Sequence, residues 1–126
     1  VADQFTLGGS YTTTPYVGVR SGVPTVVSVI DEKVALVNKA IGRYSLDTDA
    51  PVSVDLGGLD EVNVLVVKTI GGKIRLRVTS ADGSQQSIPV DSFLSMISLS
   101  VPITALDLTR TPGTSTTVDI FLGQRA

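Results

Sequence analysis

Val62-Asn63-Val64-Leu65-Val66-Val67-Lys68-Thr69-Ile70 runs into Gly71-Gly72 and on into Lys73-Ile74-Arg75-Leu76-Arg77-Val78. Val62 to Val67 is apolar on both faces, as a central sandwich strand would be. The second alternates strictly, with Ile74, Leu76 and Val78 pointing one way and Lys73, Arg75 and Arg77 the other. Glycine takes positive φ at little steric cost, so the Gly71-Gly72 pair predicts a tight hairpin between the two strands. The inward phase then contains Val64, Val66, Leu76 and Val78, joined by Ile120 and Leu122 of the final run Thr117 to Leu122.

The same grammar extends in both directions. Val52 to Leu56 alternates and stops at Gly57-Gly58, and Asp82-Gly83 marks a further turn. Pro89 restricts Ile88-Pro89-Val90 to an edge or irregular strand. Phe93 to Ile97, Ile103 to Thr109 and Thr117 to Leu122 read as strands, the last two separated by Thr111-Pro112-Gly113-Thr114. Upstream, Phe5-Thr6-Leu7 and Tyr11 to Thr14 are compatible with one strand bent at Gly8-Gly9, and Thr25 to Ile30 with another. Residues 31–41 fit two descriptions. Asp31 can cap a short helix that buries Val34, Val37 and Ile41 and ends at Gly42. The same residues are β-branched enough to pair as a strand. Short strands punctuated by turns predict an all-β, antiparallel β-sandwich, jelly-roll-like, with at most one short helix. Residues 1–24 form an N-terminal arm or first strand, and residues 25–126 the sandwich domain.

Composition narrows the function. A chain of 13.1 kDa buries about two-thirds of its extended surface, enough for one core without disulfides or metal. It contains no His, Cys or Trp, so the usual neutral-pH base, the commonest transition-metal ligand and the thiolate nucleophile are missing. Ten Lys and Arg against twelve Asp and Glu offer no basic surplus for nucleic-acid binding. No run approaches the length of a membrane-spanning helix, so membrane insertion is not expected. Val1-Ala2-Asp3-Gln4 lacks the basic and apolar regions of a signal peptide, and Val1 suits a chain whose initiator Met was trimmed, so cytosolic synthesis is expected. Only 17% of residues are charged and mean hydropathy is +0.32. A surface of this kind is better suited to partial coverage by neighbours than to full exposure.

Candidate chemistry is sparse. Asp47, Asp49 and Asp55 offer oxygen ligands, but Ala50-Pro51 interrupts any calcium-loop pattern, and a solvated turn is the favoured reading. Asp107 and Asp119 are conceivable as a glycosidase acid and base. Each occupies the polar phase of a strand, and no Trp supplies a sugar platform. No Ser-x-x-Lys or Gly-x-Ser-x-Gly motif activates a serine. No catalytic, cofactor-binding or metal-ligating residue is therefore assigned, and a non-enzymatic protein is expected.

The candidate interface has two parts. Lys73, Arg75 and Arg77 form a stripe that either keeps an edge strand soluble or meets an acidic neighbour. Tyr11, Tyr16 and Val19, in the Gly- and Pro-rich stretch from Phe5 to Pro24, are expected to pack on a neighbouring copy or on a larger particle.

Val54-Asp55-Leu56-Gly57-Gly58-Leu59, Ile88-Pro89-Val90, Ile103-Thr104-Ala105-Leu106 and Val118-Asp119-Ile120-Phe121-Leu122-Gly123 together resemble the small β-sandwich virion proteins of tailed bacteriophages. These include head-decoration, head-fibre and tail-accessory proteins. The resemblance implies a structural subunit of the capsid decoration or head-fibre type, made in the host cytoplasm and located in the virion. Its implied partners are itself, as a homotrimer or other cyclic oligomer, and other virion proteins. A tail or baseplate accessory protein, and a receptor- or carbohydrate-binding module, are the alternatives.

Overall fold

The computed structural model describes residues 3–13, 16–17, 20–21, 25–96 and 99–126. Its elements are β1 (Asp3–Thr13), β2 (Tyr16–Val17), β3 (Arg20–Ser21), β4 (Thr25–Leu46), β5 (Val52–Ser53), β6 (Val64–Ile70), β7 (Ile74–Ser80), β8 (Gln85–Val90), β9 (Phe93–Met96), β10 (Ile103–Arg110) and β11 (Thr116–Arg125). One sheet runs β1-β4-β11-β6-β9 and the facing sheet β5-β10-β7-β8, while β2 and β3 form a short ladder of their own.

A simple rule underlies this order. β4 pairs with β11, β5 with β10, β6 with β9 and β7 with β8, all antiparallel. The chain from Thr25 onward thus behaves as one long hairpin that has rolled up, with the β7–β8 turn at its tip. That is the strand order of a jelly roll, and the all-β sandwich expected from alternation is the fold observed. The tip is tied by Asp82, whose carboxylate accepts from the Ser84 backbone N–H at 3.0 Å and from its hydroxyl at 2.6 Å. Pro89 lies on β8, an edge strand, where its missing N–H costs no ladder bond inside the sheet.

Rolling up corrects the hairpin expected at Gly71-Gly72. β6 and β7 lie in different sheets, so the glycines carry the chain across the core instead of turning it back beside itself. Two apolar-phased strands have the same sequence signature whether they pair edge to edge or face each other. Facing each other, they bury both apolar sides. Gly71 has φ +99°, and a Cβ there would stand 3.1 Å from the Ser115 carbonyl oxygen. Gly83 has φ +85° but open space around it. Gly71→Ala should therefore cost more than Gly83→Ala, about 2–3 against about 1 kcal/mol, in parallel urea titrations.

β4 explains the ambiguity over residues 31–41, which are strand throughout. Gln124 pairs with Asn38 and Arg125 with Leu36, so Val37 is an extra residue, a bulge. Before the bulge the buried positions are Val34 and Leu36; after it Ala40, Tyr44 and Leu46 face the core and Lys39, Ile41 and Arg43 face outward. Of the three residues a helix would have buried, only Val34 is buried, while Val37 and Ile41 are exposed.

The main core contains Leu65, Val67, Leu76, Val78, Leu106, Leu108, Val118, Ile120 and Leu122 among its buried members. Leu76, Val78, Ile120 and Leu122 point inward as expected. On β6 the phase is the reverse of that expected: Leu65 and Val67 face the core, Val66 is half-buried on the outer side, and Val64 is buried in a separate cluster. A strand apolar on both faces offers no contrast from which to read its phase.

Candidate interaction surfaces

Among the described residues β1 has one strand partner, the first half of β4, with Asp3 opposite Leu36 and Thr13 opposite Thr25. β11 pairs only with the second half, from Leu46 to Leu36. Among the described residues, then, β1 and residues 25–35 form a two-stranded ribbon outside the sandwich. The pairing irregularity in β1 falls between Tyr11 and Thr12 rather than at Gly8-Gly9. Tyr11 and Tyr16 lie on β1 and β2, but their side chains, and Val19 entirely, fall outside the described residues.

The base of the ribbon is bolted to the outer face of the larger sheet. Val34, Leu36 and Val64 are buried together with Phe5 and Phe121 packed on them. Gly123 makes the seat: a Cβ there would stand 2.9 Å from Leu36 Cδ2 and 3.3 Å from Val64 Cβ. Phe5 and Phe121 stack with centroids 5.1 Å apart. Their register partners on β4, Val34 and Ile41, are seven residues apart, a separation of ~23 Å along a straight strand. The contact therefore requires β4 to bend sharply at the Val37 bulge, so the ribbon folds back over the sheet.

Beside this contact the outer face stays apolar. Ile41, Phe121 and Val66 are aligned across β4, β11 and β6. With Phe93, Lys68 and Asp119 they line a shallow groove of about 230 Å³. Ile41 is 75% exposed and Phe93 54%, neither of which the strand pattern flagged, because alternation marks an outward position without saying what lies over it. Arg43 borders the groove and grips Asp119 in a two-point ion pair, Nε to Oδ1 at 2.6 Å and Nη2 to Oδ2 at 2.9 Å.

The Lys73, Arg75 and Arg77 stripe lies on the opposite side of the molecule, on the outer face of the smaller sheet. It does not guard an edge: β7 runs between β10 and β8. Arg77 donates to Asp107, which also accepts from the Ser53 hydroxyl at 3.1 Å. Arg75 reaches the Ser87 hydroxyl at 3.2 Å. Lys73 and Arg75 join Ile74, Pro89, Thr109, Arg110, Thr111 and Pro112 around a second groove, of about 450 Å³. The stripe is thus divided, with one cation neutralised and two facing a cavity.

The carboxylates singled out in the sequence are dispersed. Asp107 and Asp119 sit on the outer faces of opposite sheets, each held by its own arginine, so they do not form an acid–base pair. Asp49 accepts from Arg110 Nε at 2.9 Å and from the Gly113 N–H at 3.1 Å, tying the β4–β5 crossing to the β10–β11 crossing. Asp55 accepts from the Gly57 N–H, and its own N–H donates to the Tyr44 hydroxyl. Among the described residues no three acidic side chains gather into a metal-sized cluster.

These contacts make stability acid-sensitive. The Gly113 N–H and then Arg110 lower the Asp49 pKa, Ser84 lowers that of Asp82, Arg77 and then Ser53 that of Asp107, and Arg43 that of Asp119. A carboxylate with a depressed folded-state pKa stabilises the fold above its unfolded value of about 3.9, and the contribution is lost as pH falls through the folded value. With no histidine to titrate, the melting temperature should stay level from about pH 8 to 5 and decline below about pH 4. A pH series of thermal melts checks this.

No protein-family model, no curated protein and no solved structure matches this chain.

Proposed function

We propose that this chain is a non-enzymatic structural subunit that works by associating with copies of itself and with other proteins of a bacteriophage particle, as its resemblance to capsid-decoration and head-fibre proteins implies. The observation that carries the reading is the two-stranded ribbon formed by β1 and residues 25–35. A ribbon of two strands is marginal in water on its own and presents unpaired backbone along its edges. A neighbouring copy satisfies both needs.

The apolar groove around Ile41, Phe93 and Phe121 adjoins the ribbon base and adds surface of the kind found at interface cores. Jelly rolls also recur in viral capsid and lectin domains, an analogy of fold alone.

The test is the mass of the full chain in solution by sedimentation equilibrium. A closed oligomer, trimer or larger ring, is expected at micromolar concentration. A monomer persisting to several hundred micromolar would overturn the proposal.

A further inference from the structure

Four inter-sheet crossings stack at one end of the sandwich, and the groove of about 450 Å³ lies among them on the outer face of the smaller sheet. Its position follows from register. Thr109, Arg75 and Pro89 are aligned across β10, β7 and β8. One step beyond, Thr111 donates to the Lys73 carbonyl through its hydroxyl at 2.9 Å and its N–H at 3.3 Å. Two prolines, Pro89 and Pro112, supply an apolar lining.

The cations around this groove are only partly paired. Arg110 is balanced by Asp49, and farther along the sheet Arg77 is balanced by Asp107. Arg75 bonds only a neutral hydroxyl, and Lys73 has no ion-pair partner among the described residues. Asp91 follows Val90, the partner of Ile74, and is the carboxylate nearest in register to Lys73, but the two are not paired. Two cations without an ion pair among the described residues therefore face one cavity in a protein of net charge −2.

We infer that this groove binds an acidic peptide segment of a partner protein, its carboxylates meeting Lys73 and Arg75 and its apolar side chains resting on Pro89 and Pro112. The apolar lining favours a peptide over a free inorganic anion, which would make no use of it. The volume lies in the range of ordinary ligand sites. The inference stands on residues far from the ribbon, so it succeeds or fails separately from the assembly proposal.

The experiment is fluorescence anisotropy of the full chain with a labelled octapeptide of alternating Glu and Leu, against the same peptide with Gln for Glu and one with Gly for Leu. The Glu-Leu peptide should bind most tightly, and binding should weaken as salt is raised. Lys73→Gln with Arg75→Gln should weaken it about fivefold, as expected for the loss of two solvent-exposed ion pairs, while Lys68→Gln on the opposite sheet should change it less than about twofold. The idea is overturned if the Gln peptide binds equally well, or if the double variant binds as the parent does. It is also overturned if Glu-Gly matches Glu-Leu and millimolar phosphate displaces both, which would mark a simple anion site. The peptide comparison uses the unmodified chain, so it does not depend on how the variants fold. Sedimentation of the double variant separates the two readings, because loss of peptide binding with assembly intact concerns this groove alone.

Discussion

Leu76→Ala should destabilise the protein by about 2–5 kcal/mol, the sum of lost transfer energy and an unfilled cavity. Leu76 is fully buried on β7, inside the main core formed between the two sheets. Leu65→Ala should cost a similar amount, because Leu65 is equally buried on the core side of β6. Its neighbour Val66 provides the contrast. It lies half-buried on the outer face, so Val66→Ala should cost less than about 1 kcal/mol. Chemical denaturation of the three variants measures both the size of the core effect and the phase of β6. Equal losses at Leu65 and Val66 would mean that the outer face is covered as completely as the core.

Removing residues 1–35 should abolish self-association while leaving a folded jelly roll. Among the described residues, every buried member of the main core lies at Leu46 or beyond, and the partly buried residues packed on it begin at Ala40. The β4–β11 ladder from Leu36 to Leu46 survives the truncation. Among the described side chains, what is lost is Val34 and the Phe5–Phe121 stack, together with the ribbon. A stacked aromatic pair and one buried valine are worth about 2–4 kcal/mol together, a cost that a domain of this size can bear. Far-ultraviolet circular dichroism should still report β structure, and sedimentation should report a monomer. Retained assembly at full affinity would move the interface to the groove around Ile41 and Phe93.

The candidate surfaces were only partly legible. Lys73, Arg75 and Arg77 share a face by simple alternation, so their stripe is visible in the sequence. That Arg77 is neutralised while Lys73 and Arg75 are not depends on Asp107 and Ser53, which are remote in the chain and arrive by strand register. Arg110 joins the cavity for the same reason. Ile41 and Phe93 share a groove only because β11 and β6 lie between their strands.

Alternation and turn residues were sufficient to dictate an all-β sandwich, the inward phase of β7 and β11, the Asp82-Gly83 turn and the edge position of Pro89. These are local properties: side-chain period and backbone conformational cost act within a few residues. Partner choice is not local. Whether Gly71-Gly72 closed a hairpin or crossed the core was decided by where β9, β10 and β11 came to lie, since both geometries bury the same apolar phase. The phase of β6 was settled by which face met the opposite sheet, and the strand at residues 31–41 by pairing with β1 and β11 around a bulge. In each case two arrangements satisfied the same local pattern, and the long-range burial of apolar surface separated them.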